Sequence, residues 1–136
     1  MKLVIASAGV LAFANAVAHG EDWELRMTGK KVGAYDLTVR TSPKQPRTGR
    51  LHIEAQVIDP QTLAYVDDAK VSALARLDGG AAAQAGPVPS RYRRPWHEID
   101  LVLTRSGAWE VQLVVDDPRA RGAASFLVDI LPEDTK

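Results

Sequence analysis

The stretch Gly49-Arg50-Leu51-His52-Ile53-Glu54-Ala55-Gln56-Val57 alternates apolar and polar residues. Such a period of two is typical of a β-strand with one face in a core and the other toward water. The inward set is Leu51, Ile53, Ala55 and Val57, and the outward set is His52, Glu54 and Gln56. We therefore predict a strand here whose outer side chains, His52 included, form a solvated sheet face.

The same alternation recurs along the chain in short segments closed by turn residues. Its apolar positions fall in six further groups: Trp23 to Met27, Tyr35 to Val39, Val71 to Leu77, Ile99 to Leu103, Trp109 to Val115 and Phe126 to Ile130. Helical periodicity is nearly absent, so the sequence predicts an all-β immunoglobulin-like β-sandwich of about seven strands. Trp109 shares the inward phase of its strand and is expected in the core, whereas Trp23 is expected to cover one end of the sandwich.

Two segments are predicted to interrupt the strands. Thr28 to Lys31 contains a glycine and is expected to turn the chain after the first strand. Ala81 to Ala85 is bracketed by Gly79-Gly80 and Gly86-Pro87, which leaves too little room for a helix, and we expect a hairpin or loop there.

The N-terminus has the features of a secretory signal peptide. Lys2 precedes an uncharged apolar stretch that runs to Ala18, with small residues at Ala16 and Ala18 as in an A-x-A cleavage site. We predict residues 1–18 to be cleaved, leaving residues 19–136 as one mature domain with no membrane span. That domain is expected in the periplasm. It contains no cysteine, so its core has to stabilise it without disulfides.

Charge and motif content exclude several function classes. The chain has 17 basic and 17 acidic residues, a balance that argues against a nucleic-acid partner. No nucleophile arrangement, glycine-rich phosphate loop or paired-carboxylate cleft can be identified in the sequence. The sequence therefore favours a non-enzymatic module.

Four phrases in a fixed order carry a resemblance to a known family. They are Gly33-Ala34-Tyr35-Asp36-Leu37, Gly49 to Ala55, Val66-Asp67-Asp68-Ala69-Lys70-Val71, and Ser106 to Leu113 with its Gly-x-Trp-x-Val pattern. This layout, from about Gly33 to Ile130, resembles the YtkA-like and FixH-like exported domains, which are related in architecture to CopC copper carriers. The resemblance implies a periplasmic binding or accessory module linked to copper handling or respiratory-oxidase maturation.

A copper site is the specific hypothesis for this module. Cleavage after Ala18 would give His19 a free α-amine beside its imidazole, and such nitrogen donors suit Cu(II). His97, just before a predicted strand, is the second candidate ligand, and His52 is a further possible ligand, although a solvated sheet face explains it as well. The chain departs from copper-binding relatives because Asp116-Asp117-Pro118-Arg119 lacks histidine and Met27 is the only methionine beyond Met1, so a soft Cu(I) site is not supported.

Each candidate also has a structural interpretation. His97 is in phase with the inward Ile99 and is more often a hydrogen-bonded core side chain, and Asp67-Asp68 or Asp116-Asp117 are more often turn acids than cation ligands. The run Arg91-Tyr92-Arg93-Arg94 could contact phosphate, an acidic partner or a membrane surface, but a solvated loop, or an edge strand that its arginines protect from pairing, explains it more simply. A protein-interaction domain without metal is therefore the alternative function, and a histidine-brace copper monooxygenase that begins at His19 is a remote one.

Overall fold

The computed structural model describes residues 22–89 and 95–133. The predicted signal peptide, residues 1–18, and His19 lie outside the described residues, as does the Arg91 to Arg94 run. Within the described ranges there is no helix of the length and apolar character needed to cross a membrane.

Eight strands form two four-stranded antiparallel sheets in the described part of the chain. The strands are β1 (Glu24–Val32), β2 (Tyr35–Ser42), β3 (Gly49–Ile58), β4 (Lys70–Leu77), β5 (Ala82–Val88), β6 (His97–Leu103), β7 (Gly107–Asp117) and β8 (Ala120–Ile130). The first sheet has the order β1-β2-β3-β6, and the second has the order β5-β4-β7-β8. The all-β prediction is confirmed, and the two sheets are consistent with a β-sandwich.

The two segments predicted to interrupt the strands have different outcomes: Thr28 to Lys31 belongs to a strand, whereas Ala81 to Ala85 lies in the hairpin of β4 and β5, as one of its two predicted alternatives stated. Residues 28–31 continue β1 past a register irregularity between Met27 and Lys30, and the chain turns afterwards, at Gly33 and Ala34. Ala82–Val88 forms β5 because it pairs with the edge of β4. Gly86, with φ of 88°, lies where this pairing is irregular, and a Cβ there would approach the carbonyl oxygen of Val71 to 2.8 Å. Gly86 therefore marks a β-bulge within β5 and not the end of a strand.

The inward alternation predicted from sequence forms the core between the sheets. The four inward residues of β3 are each no more than 1% exposed. Trp109 is 1% exposed, and its indole N–H donates a 3.0 Å hydrogen bond to the backbone oxygen of Arg105. The predicted core position of Trp109 is therefore confirmed, and its one polar atom is satisfied, as a buried indole requires.

The turn between β1 and β2 is fixed to the turn between β7 and β8. The hydroxyl of Tyr35 donates a 2.7 Å hydrogen bond to Oδ2 of Asp117, and Arg119 donates to the same oxygen through its backbone N–H and Nε. Burial raises the pKa of Asp117, but these hydrogen bonds outweigh it and hold the pKa below its ordinary value. In the structure, Asp117 therefore has a structural role at the end of the sandwich.

Candidate functional site

A group of charged side chains lies on the outer face of the first sheet, where β2, β3 and β6 run side by side. Antiparallel register places Arg40 opposite Glu54, Glu54 opposite Glu98, and His52 opposite Asp100. Directly opposed residues share a face and have neighbouring side chains. We call these five residues the outer-face cluster.

Arg40 and Glu54 form the centre of this cluster. Nε and Nη2 of Arg40 donate hydrogen bonds of 3.0 and 2.6 Å to Oε1 of Glu54. The guanidinium carbon of Arg40 lies 4.3 Å from the ring centroid of Trp23 and 4.0 Å from that of Trp96. Arg40 is therefore held by two cation–π contacts as well as by its ion pair.

Glu54 is fully buried, at 0% exposure, although it belongs to the outward set of β3. The expectation of a solvated sheet face is therefore wrong at this position. Trp23, expected at one end of the sandwich, instead lies over this face and contacts both Arg40 and His52. Among the described residues, Arg40 contacts Glu54 directly on this face, and no third layer of secondary structure lies over it.

His52 connects two carboxylates of the cluster. Its Nδ1 lies 2.6 Å from Oδ1 of Asp100, and its Nε2 lies 3.3 Å from Oε2 of Glu54. The pKa of His52 is raised to about 9, chiefly by its hydrogen bond with Glu54; burial opposes this rise, and Asp100 adds to it. His52 is therefore protonated at neutral pH when these carboxylates are its partners.

Donor atoms of His52, Glu54 and Glu98 all lie within 4.8 Å of one another. Zinc–nitrogen and zinc–oxygen bonds of ~2.1 Å at tetrahedral angles place neighbouring ligand atoms ~3.4 Å apart. The 3.3 Å between Nε2 of His52 and Oε2 of Glu54 is close to that spacing. Chemically, the three residues offer one imidazole nitrogen and carboxylate oxygens to a divalent ion.

His97, the second histidine predicted as a copper ligand beside His19, lies on the opposite side of the same sheet from His52. His97 is fully buried opposite Ala55, which confirms its inward phase. Its Nδ1 and Nε2 face the backbone oxygens of Ala55 and Ala69 at 3.3 and 2.8 Å. Burial is the main reason that the pKa of His97 is lowered. This geometry favours the structural interpretation of His97 and does not bring it together with His52.

Sequence reasoning placed His52 and Glu54 on one face but did not find the cluster. The missing step was the pairing of β3 with β6, which brings Glu98 and Asp100 alongside them. A signal was present in the sequence, because Trp96, Glu98 and Asp100 alternate with inward residues and therefore share the outer face. Local alternation does not give the order of strands in a sheet. It is this order that places the polar face of β3 beside the polar face of β6.

Comparisons of the chain with models of protein families, with curated proteins and with solved structures give no match.

Proposed function

We propose that this chain is an exported, non-enzymatic binding module that binds a divalent transition-metal ion through His52, Glu54 and Glu98. The proposal rests on one observation, the convergence of three metal-ligating side chains within 4.8 Å. It keeps the binding role suggested by the resemblance to YtkA-like and FixH-like domains, and it moves the metal hypothesis to the outer-face cluster.

The immunoglobulin-like part of the proposal is supported by strand order. With β1 set aside, the sheets β2-β3-β6 and β5-β4-β7-β8 correspond to strands A-B-E and C′-C-F-G of immunoglobulin-like sandwiches. In that correspondence β1 is an additional strand beside strand A. The fold alone does not specify a function, and the proposed binding therefore depends on the side chains of the outer face.

The surroundings of the three candidate ligands also support a metal site. Metal-bound histidines usually donate their second ring N–H to a carboxylate, which fixes the tautomer and the ring orientation. Asp100 accepts at Nδ1 of His52 in this manner, and leaves Nε2 directed toward Glu54. Arg40 orients Glu54 from the other side.

Charge balance among the five residues of the cluster is compatible with a divalent ion. Glu54, Glu98 and Asp100 carry three formal negative charges, and Arg40 and a protonated His52 carry two positive charges, which leaves one negative charge among these five residues. A divalent ion that replaces the proton on Nε2 of His52 would make the group neutral. The same replacement means that metal binding has to remove a proton, so the affinity measured near neutral pH includes that cost.

Titration of Zn²⁺ into the untagged protein by calorimetry tests this function. We expect one bound equivalent per chain, and we expect His52→Ala and Glu98→Gln to abolish it. Glu110→Gln is the matched control, since Glu110 is an exposed glutamate of the second sheet. Binding that is absent in the unmodified protein, or that is unchanged in both cluster variants, would contradict the proposal.

A protein-interaction domain without metal is the second candidate. It is favoured by Trp23, Arg40 and Trp96, because tryptophan and arginine are the residue types that most often dominate binding energy at protein interfaces. Under this alternative the ion pairs of the cluster organise a recognition surface. The calorimetric titration separates the two, since an interaction domain would show no specific Zn²⁺ equivalent.

A further inference from the structure

We infer that two copies of this chain pair antiparallel along the free edge of β8, so that their second sheets join into one continuous sheet. The partner that this edge fits is thus a second copy of the chain. The edge belongs to the sheet β5-β4-β7-β8, whereas the outer-face cluster belongs to the other sheet. Pairing of copies is therefore a property additional to the proposed metal binding, and its test involves no metal ion.

β8 is an edge strand whose main-chain groups point outward at alternate residues. It pairs with β7 in one unbroken register and has no other strand beside it among the described residues. At the end of β8, the N–H and C=O of Leu131 bond to Pro46 and Thr48, on the side away from β7. Main-chain groups alternate in direction along a strand, so every second residue before Leu131 presents its N–H and C=O to the same edge. These residues are Asp129, Leu127, Ser125 and Ala123.

The free part of this edge has two borders. At one border Gly33, in the β1–β2 turn, lies so close to Arg121 that a Cβ on Gly33 would be 3.0 Å from the backbone oxygen of Arg121. At the other border Leu131 is already bonded to the segment before β3. Between them, a hollow of about 540 Å³ opens beside Leu127. The stretch from residue 123 to residue 129 is therefore the part that a further strand can reach.

This stretch lacks the features that protect most edge strands. Edge strands that avoid pairing usually carry charges, a proline or a bulge. β5, at the opposite edge of the same sheet, has a bulge at Gly86 followed by Pro87. In β8, residues 122–128 contain no charged side chain and no proline, and Leu127 is 72% exposed. The second sheet is therefore protected at one edge and open at the other.

A two-fold pairing centred on Ser125 uses these outward groups in both copies. Ser125 then lies opposite Ser125 of the second copy, and Ala123 lies opposite Leu127 of the second copy. Since all of these residues present their main-chain groups to the free edge, each pair can exchange both N–H···O bonds of a hydrogen-bonded antiparallel pair. The two-fold axis makes the contact isologous, so that the assembly closes at two copies.

The two ends of this register bring opposite charges together. Arg121 lies opposite Asp129 of the second copy, and the two-fold axis repeats the pair. Both side chains are exposed and have no hydrogen bond or ion pair to another described residue, although Asp129 lies near Arg26. Opposite charges directly across antiparallel strands stabilise the pairing. A shift by two residues would instead place Arg121 opposite Leu127 or Leu131, so the charges favour this register.

Sedimentation equilibrium of the full, untagged chain, with a chelator present, tests this pairing. We expect a reversible equilibrium between monomer and dimer. Arg121→Asp sets like charges against each other at both ends and should raise the dissociation constant of the dimer at least ~10-fold. Adding Asp129→Arg to that variant reverses both charges, and the double variant should dimerise like the unmodified protein. Arg105→Asp, at an exposed arginine outside β8, is the matched control and should have no effect.

A protein that is monomeric at every concentration, or a dimer that Arg121→Asp leaves unchanged, would overturn the inference. So would a double variant that does not recover dimerisation, because recovery requires the two charges to face each other. Ser125→Pro tests the same edge without a change of charge. It removes an N–H that points away from β7, where proline is tolerated, and it should abolish the dimer. Circular dichroism checks that each variant is folded, and if Arg121→Asp is not, Ser125→Pro decides the question.

Discussion

Two nitrogens of Arg40 donate to a single oxygen of Glu54, at 3.0 and 2.6 Å, on a sheet face that has no further layer of secondary structure among the described residues. Glu54 is fully buried there. Removing two charges from water is unfavourable, and the ion pair compensates only while both partners are present and well placed. The fold therefore depends on Arg40 and Glu54 together, because either charge would be unfavourable there without the other.

Truncation of Arg40 alone should strongly destabilise the fold. We expect Arg40→Ala to lower the free energy of unfolding by ~3 to 5 kcal/mol, because it leaves a buried carboxylate without its main cation. Urea denaturation followed by circular dichroism measures this. Arg76→Ala, at an exposed arginine of β4, should change the value by less than ~0.5 kcal/mol. The double variant Arg40→Met with Glu54→Met should recover most of the loss, and a single variant as stable as the control would contradict this account.

Removal of the carboxylate behind His52 should weaken metal binding without abolishing it. Asp100 accepts at Nδ1 of His52 and is not itself among the three candidate ligands. Loss of such an outer partner typically reduces metal affinity by ~10 to 100-fold, and we expect that range for Asp100→Ala in Zn²⁺ calorimetry. Asp116→Ala, an exposed aspartate of β7, serves as the control. Equal affinities in the two variants would show that Asp100 does not orient the imidazole.

The elevated pKa of His52 predicts a loss of stability in alkali. A histidine whose folded-state pKa is raised contributes stability that is fully present below its ordinary pKa of 6.5 and is lost as the pH rises through about 9. With a chelator present, the free energy of unfolding should therefore fall between about pH 7 and about pH 10. His52→Gln should show a shallower fall over that interval. Parallel profiles for the two proteins would mean that His52 gains no proton affinity on folding.

His97 should have the opposite effect in acid. Burial lowers its folded-state pKa, so its contribution is present above pH 6.5 and is lost as the pH falls toward the folded-state pKa. We expect the free energy of unfolding of the unmodified protein to fall as the pH is lowered below 6.5. In His97→Gln the free energy of unfolding should fall less over the same pH interval, whatever the absolute stability of that variant. An identical change in both proteins would assign the acid sensitivity to carboxylates alone.

Copper allows the two metal hypotheses to be separated. If the mature chain begins at His19, its amine and imidazole should bind Cu(II) and give a nitrogen-rich electron paramagnetic resonance signal that His19→Ala removes. A signal from the outer-face cluster should instead disappear in His52→Ala. The N-terminus is identified by mass spectrometry before the titration. Retention of the full signal in both variants would exclude both sites.

The sequence predicted the fold more fully than it predicted the candidate site. Alternation at Leu51 and Ile53 reports directly which side of a strand is apolar, and those residues are buried as expected. It does not report which strands pair, and Glu98 reaches Glu54 only because β6 lies beside β3. Glu54 was therefore expected in solvent, although it is fully buried and accepts two hydrogen bonds from Arg40. His19 stays a prediction, since it lies outside the described residues.

The two rings that enclose Arg40 come from distant parts of the chain, since Trp23 precedes β1 and Trp96 precedes β6. The enclosure of Arg40 therefore needs β1, β2 and β6 to be in place together. A sheet that lacked either β1 or β6 would leave one side of the guanidinium open. The outer face of the first sheet is thus a product of the tertiary structure and not of any one hairpin.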